Sequence, residues 1–189
     1  MPPKIRITRK EIIDTTVELV RQKGTDSINA RAVAAALGCS TQPVFSNFAT
    51  MDELHTEVIA SALDRYLGFI EREIQIGKYP EYKASGMAYI RFAKEETELF
   101  KLLFMCNRQG QELQPTTDFE ASIEIIMKNN NITRESATLM HLEMWTCVHG
   151  IATMIATSFL ELDQDLISNM LSDIYLGVRK MHITEENTK

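Results

Sequence analysis

Apolar residues recur at helical spacing in nearly every segment of this chain, and no alternating run of Val, Ile and Thr is long enough to form a strand. In the first segment, Ile12, Ile13, Val17, Leu19 and Val20 share one side of a helix. Glycine and proline number only 8 and 5 in 189 residues, so helix-breaking residues are sparse. We therefore predict an all-α fold with about nine helices.

Capping residues and glycines divide the chain into these helices. Asn29 caps the second helix and Ser40 or Thr41 caps the third, whereas Gly24 and Gly38 are expected to end the helices before them. The tail from residue 182 to 189 is polar and expected to fray. In chain order, the predicted helices span about residues 8–23, 30–37, 42–48, 52–76, 81–94, 98–106, 117–128, 134–160 and 165–181.

Composition excludes several classes of protein. No apolar run approaches the roughly 18 residues of a membrane span, and the N-terminus lacks the apolar stretch of a secretory signal. The three cysteines, Cys39, Cys106 and Cys147, are far apart and odd in number, which favours reduced thiols over a disulfide framework. We expect a cytoplasmic protein that has no membrane partner.

A short helix, a turn containing Gly38 and a second short helix occupy residues 30–48. This arrangement places one helix in the major groove of DNA. Residues 1–48 carry seven basic and four acidic side chains, so their net charge is +3, whereas the remainder of the chain carries −9. A basic end on an acidic body orients a molecule toward DNA. The residues expected to contact DNA are Arg9, Asn29, Arg31, Ser40, Thr41, Gln42, Pro43, Phe45, Ser46 and Asn47.

The chemistry of the individual contacts stays open. Gln42 and Asn47 can each bond an adenine edge, whereas Thr41 or Ser46 can bond a base or a phosphate. Phe45 can meet a thymine methyl, pack against the sugar and backbone, or turn inward. Inward-facing positions are expected at Val33, Ala34, Leu37, Val44 and Phe48, which can pack on Ile12 and Leu19.

The stretch from Ile12 to Leu54 resembles the N-terminal signature of the TetR family of transcriptional regulators. Three positions depart from that signature: Phe45 replaces a tyrosine that commonly reaches a phosphate, Met51 a lysine, and Pro43 a small residue. Arg9, Lys10, Arg31 and the arm formed by residues 4–6 can supply other phosphate contacts. The residues that carry the resemblance, besides the helix of residues 12–24, are Val33-Ala34, Gly38, Ser40, Phe45, Phe48 and Asp52-Glu53-Leu54.

Residues 90–105 and 145–159 resemble the C-terminal domain of one TetR branch, which has a Trp…His-Gly signature, here Trp145, His149 and Gly150. The resemblance implies a three-helix DNA-binding head with the helix-turn-helix, residues 1–50, and a larger helical bundle for ligand sensing and dimerisation, residues 51–189. It also implies a homodimer joined by the last two helices of each subunit. The apolar residues expected at that interface are Ile151, Ile155, Phe159, Ile167, Leu171, Ile174 and Tyr175.

The function implied by the resemblance is a ligand-responsive repressor that binds a pseudo-palindromic operator in double-stranded DNA. Its effector, an apolar or amphipathic small molecule, would lie in the C-terminal part. Core packing explains the same side chains equally well, and His149 is also interpreted as a hydrogen-bonded core histidine. The candidate pocket residues are Phe92, Phe104, Met144, Trp145 and His149.

No sequence feature indicates an enzyme, a cofactor or a metal site. There is no phosphate-binding glycine loop and no G-x-S-x-G, and neither His141 nor His149 has a carboxylate or cysteine at ligand spacing. The alternative function is a helical protein-interaction module whose degenerate head, with Phe45 and Met51, no longer binds DNA.

Overall fold

The computed structural model describes residues 7–106 and 117–186, and it confirms the all-α class. The arm of residues 4–6 lies outside the described residues. In the described part the chain forms nine α-helices and one short 3-10 helix, Thr25–Ser27, with no strand. The α-helices are α1 Arg9–Lys23, α2 Ala30–Ala36, α3 Gln42–Asn47, α4 Met51–Ile76, α5 Glu81–Glu95, α6 Thr97–Phe104, α7 Thr117–Asn130, α8 Arg134–Ala156 and α9 Gln164–Glu186.

Capping side chains start the first two helices, and that of Asn29 confirms the predicted cap of α2. Thr8 and Glu11 form a reciprocal capping box at the start of α1, which satisfies amide groups that have no partner within the helix. The side chain of Asn29 accepts from the amide of Ala32, at 2.9 Å, and starts α2. Gly24 ends α1 with a φ of 78°, a conformation that favours glycine.

Two predicted helix ends are wrong by four residues or more, and one predicted cap lacks its hydrogen bond. Thr41 occupies the cap of α3, but its side chain makes no capping hydrogen bond. α8 ends at Ala156 rather than at residue 160, because Ser158 takes a positive φ of 56° and the amide of Phe159 turns back to the carbonyl of Met154. α9 continues past residue 181 to Glu186.

The predicted fraying is wrong for residues 182–186, because a histidine in this segment is buried. His182 is 5% exposed, and its Nε2 atom lies 2.8 Å from the carboxylate of Glu143 on α8. This contact attaches the last turns of α9 to the bundle. A polar tail can therefore stay helical when one of its side chains has a partner inside the fold.

One compact unit consists of residues 7–68 and 95–106. Its core contains apolar side chains from α1, α2, α3, α4 and α6. Glu96, only 6% exposed, joins two of these helices, since it accepts from Arg21 of α1 at 2.6 Å and from Arg65 of α4 at 2.8 Å. The most deeply buried apolar residues of this unit include Ile12, Val20, Val33, Val44, Phe48, Leu54, Leu99 and Phe100.

The second compact unit consists of residues 69–94 and 117–186. In it, the rings of Phe69 and Phe92 meet edge to face, with centroids 5.3 Å apart. The Tyr82 hydroxyl lies 3.0 Å from His141 Nδ1. A cluster of buried residues joins α7 to α8 and comprises Ile123, Ile126, Ile132, Ala137 and Met140.

The boundary between the two units falls within α4, after Gly68, and residues 95–106 belong with the N-terminal part. These units are defined by packing, and functional domains need not coincide with them. The division into a DNA-binding domain at 1–50 and a sensing domain at 51–189 stays a prediction. Among residues 7–106 and 117–186, no helix has both the length and the apolar content that crossing a membrane requires.

Candidate functional site

α2 and α3 form a helix-turn-helix whose turn is set by a glycine. Gly38 has a φ of 65°, and the amide of the next residue, Cys39, donates to the carbonyl of Ala34 at 3.0 Å. Val33 of α2 and Val44 of α3 are both completely buried. The buried side chains of α2 and α3 thus hold α3 in place on its inward side.

α3 has an inward side and an outward side. Val44 and Phe48 are 0% and 1% exposed, as the sequence pattern predicts. Gln42, Phe45 and Ser46 are exposed, and 54% of the surface of Phe45 remains accessible. Inward packing, one of the three alternatives for Phe45, is therefore wrong.

Two polar side chains of α3 bond to the backbone of their own helix. The Ser46 hydroxyl donates to the carbonyl of Gln42 at 2.8 Å, and the Asn47 amide donates to the carbonyl of Pro43 at 2.8 Å. The same Asn47 amide lies 3.4 Å from the carbonyl of Ile7. Both donors are occupied in the folded chain, so Ser46 and Asn47 are less available to a partner than the sequence suggests.

Arg9, at the start of α1, holds the end of α3 against the start of α4. Its guanidinium donates to the carbonyl of Asn47 at 2.6 Å, to Glu53 at 2.9 Å and to Glu57 at 2.7 Å. The same group lies 4.1 Å from the centroid of the Phe48 ring. We call Arg9, Asn47, Phe48, Glu53 and Glu57 the arginine clamp.

The clamp occupies three of the five guanidinium N–H donors with which Arg9 was expected to contact DNA. Hydrogen bonds to Glu57 and Glu53 raise the pKa of Arg9, and hydrogen bonds from the Ala49 amide and from Arg9 lower the pKa of Glu53 below its ordinary value of 4.5. Because the pKa of Glu53 is lowered in the folded state, its stabilising effect is present at neutral pH and is lost as the pH falls below 4.5. The structure therefore gives Arg9 a positioning role.

The remaining predicted DNA contacts lie on the same motif in different environments. Asn29 is exposed, but its side chain caps α2 and donates to the carbonyl of Asp26. Arg31 is exposed in the first turn of α2, and Ser40 is exposed in the turn. Thr41 and Pro43 are half-buried at the start of α3.

The chain is similar along its full length to a protein whose name includes a helix-turn-helix. No protein-family model matches the chain. The chain is 18% identical over 189 residues, covering 99% of each protein, to the "Uncharacterized HTH-type transcriptional regulator YobS" of Bacillus subtilis (strain 168). It thus resembles a helix-turn-helix transcription regulator. This full-length likeness supports a regulator of transcription without assigning the chain to a family.

The predicted effector-pocket residues do not form a single group within one unit. Phe104 belongs to the unit of α1–α3, where its ring packs edge to face on Tyr66. Phe92 and Met144 are buried in the other unit. A cavity of about 330 Å³ in the unit of α1–α3 has a charged lining instead, made by Glu18, Arg21, Gln22, Glu95, Glu96, Thr97 and Glu98.

Trp145 and His149 lie one turn apart on α8, and His149 is half-buried. Trp145 is 43% exposed and stacks on the His149 ring, with centroids 5.5 Å apart. His149 Nδ1 lies 2.8 Å from the hydroxyl of Tyr89, and burial lowers the pKa of the histidine. These contacts agree with the interpretation of His149 as a hydrogen-bonded packing residue.

The residues predicted at the dimer interface differ in how far they are buried in the single chain. Ile151, Ile167 and Leu171 lie in the core of their own unit, and Tyr175 bonds Asn130. Ile155 and Ile174 are half-buried, whereas Phe159 is 75% exposed. Several large apolar side chains are exposed that the helical periodicity did not assign to the dimer interface. The periodicity failed here because apolar residues occur on both sides of α8 and α9. The exposed side chains are Leu139, Leu142, Leu166, Leu176 and Met181.

Removal of the clamp is expected to loosen the end of α3. In Arg9→Ala, the carbonyl of Asn47 and the carboxylates of Glu53 and Glu57 lose their shared donor. Backbone amide hydrogen exchange should accelerate several-fold between residues 44 and 49, with little change in global stability. The measurement is residue-resolved hydrogen exchange at neutral pH.

The control is Lys10→Ala, which removes a neighbouring positive charge that is 82% exposed and paired with Asp14 on its own helix. This variant should leave exchange at residues 44–49 unchanged. Equal exchange in the two variants would contradict the positioning role of Arg9.

Proposed function

We propose that this chain is a homodimeric, ligand-responsive transcriptional repressor of the TetR type that binds a pseudo-palindromic site in double-stranded DNA. The observation that carries the proposal is the helix-turn-helix, in which α3 packs through Val44 and Phe48 and exposes Gln42 and Phe45. The full-length likeness to a helix-turn-helix transcription regulator supports it independently.

α3 enters the major groove in this proposal, with Gln42 and Phe45 facing base edges. A glutamine can make a bidentate contact to adenine. Arg31, exposed on α2, contacts a phosphate, and Ser40 and Thr41 at the turn add neutral phosphate bonds. Because Arg9 is held by the clamp, it is less available to phosphates and is expected to add little to the salt dependence of binding.

The dimer is proposed to form through α8 and α9, which pack together within one unit. On α8, Leu139, Leu142 and Trp145 are between 41% and 51% exposed. On α9, Leu176 and Met181 are 59% and 64% exposed. Large apolar side chains grouped on a surface mark an interaction site, and a two-fold symmetric partner offers the same side chains in return.

The effector is proposed to act through the equilibrium between dimer forms that do and do not fit DNA. α4 runs without interruption from Met51 to Ile76, so the chain that leaves the helix-turn-helix continues directly into the remainder of the protein. Coupling between two binding sites is reciprocal, so an effector that releases the operator must itself bind more weakly when operator is present.

A protein-interaction module is the second candidate, and the exposed phenyl ring of Phe45 favours it. An aromatic ring with no polar group suits an apolar partner as well as a DNA groove. The two candidates differ in their need for DNA, and the following experiment separates them.

DNA binding and its salt dependence test the proposal. The full-length chain, titrated with duplexes selected from a randomised pool, should form a sequence-specific complex whose affinity falls as salt rises. Arg31→Ala should reduce the slope of log affinity against log salt by about 1.8, since each contact contributes about 0.9 and the dimer loses two.

Lys128→Ala, which removes an exposed lysine on α7, should leave that slope unchanged. Failure to select any sequence at low salt would reject DNA reading and leave the interaction module. A slope equally reduced in both variants would reject the assignment of Arg31.

The dimer is tested by Leu176→Arg. Leu176 is 59% exposed in the protomer, so a charge there is tolerated by the fold but is costly in an apolar interface. Sedimentation equilibrium should show the parent chain with the mass of two chains and the variant with the mass of one.

Ile76→Arg is the matched control, because Ile76 is 61% exposed at the end of α4, away from α8 and α9 in sequence. It should remain a dimer. A dimeric Leu176→Arg variant, or a parent chain that is a monomer at micromolar concentration, would reject the proposed interface.

A further inference from the structure

Phe45 is an exposed aromatic ring on the side of α3 that is available to a partner. Its exposed fraction of 54% contrasts with the complete burial of its neighbour Val44. The ring lies three residues after Gln42, so both side chains share one side of the helix. An exposed ring at this place is available for contact rather than for internal packing.

The neighbouring side chains make Phe45 the main apolar contact of α3. Ser46 and Asn47 use their donors on the carbonyls of Gln42 and Pro43, as described above. Pro43 is half-buried and has no side-chain donor. Gln42 and Phe45 are therefore the two long side chains that project from α3 toward a partner.

A phenyl ring restricts what it can contact in duplex DNA. It has no hydroxyl to donate to a phosphate oxygen, and burial against charged oxygens would be unfavourable. The major groove presents one apolar group, the 5-methyl of thymine. A glutamine one turn away suits adenine, the partner of thymine in the same pair or in an adjacent one.

We propose that Phe45 is a specificity-determining residue that reads the 5-methyl group of a thymine in each half-site. This inference rests on the proposed function and adds to it the chemical group that α3 recognises. Packing of the ring on sugar and backbone predicts no dependence on that methyl, which makes the two contacts separable.

Replacement of thymine by deoxyuridine tests the inference, because it removes only the methyl group and keeps base pairing. The probe is a duplex selected from a randomised pool by the full-length chain, with each thymine replaced in turn. One position in each half-site should lower the affinity of the parent chain about fourfold per methyl, the value expected for burying one such group.

Three variants complete the experiment. Phe45→Ala should bind the thymine and deoxyuridine duplexes within twofold of each other, whereas Phe45→Leu, which keeps an apolar side chain, should retain part of the discrimination. Lys128→Ala is the control, because it alters an exposed residue of α7 that the proposal does not place on DNA, and it should discriminate about fourfold as the parent does. Circular dichroism checks that each variant is folded.

Two results would overturn the inference while leaving the proposed function intact. The first is specific binding by the parent chain that is insensitive to deoxyuridine at every position. The second is equal discrimination by the parent and Phe45→Ala. If the pool yields no preferred sequence, DNA reading itself fails, and the inference fails with it.

Discussion

The arginine clamp fixes the direction in which α3 projects, and the proposed recognition surface depends on it. Arg9 bonds the last carbonyl of α3 and two carboxylates of α4, and its guanidinium lies over the ring of Phe48. Since the charged partners are about 40% exposed, the ion pairs contribute little to the free energy of unfolding. Stability comes from the buried side chains of Ile12, Val33, Val44 and Phe48, whereas the clamp sets geometry.

The same contact changes how the charge of the chain is understood. Residues 1–48 have a net charge of +3, yet the structure pairs Arg9 with Glu53 and Glu57, Lys10 with Asp14, and Arg21 with Glu18 and Glu96. Much of the positive charge therefore organises the fold. In the proposed complex, the cations paired in this way are therefore expected to contribute less than the base-edge contacts of α3. The exposed Phe45 and Gln42 are consistent with that balance.

Local signals in the sequence predicted the helices and the helix-turn-helix, because capping and glycine conformation act over a few residues. Asn29, Gly24 and Gly38 illustrate this. Contacts between residues distant in sequence were missed: Arg9 meets Glu53 and Glu57 more than 40 residues later, and His182 meets Glu143 across two helices. On α8 and α9, apolar residues occur on more than one side, so periodicity could not decide whether Ile167 or Leu176 is buried. A pocket for the proposed effector could not be located from the sequence, since packing residues and ligand-lining residues are of the same type.

In the proposed dimer, the two copies of α3 enter the major groove of one duplex. Hydroxyl-radical footprinting of the full-length chain on a duplex that it selects tests this most directly. The account predicts two protected segments related by two-fold symmetry, with centres about one helical turn apart, roughly 34 Å, or somewhat farther where the DNA is deformed. A single protected segment, or protection that is independent of sequence, would contradict it.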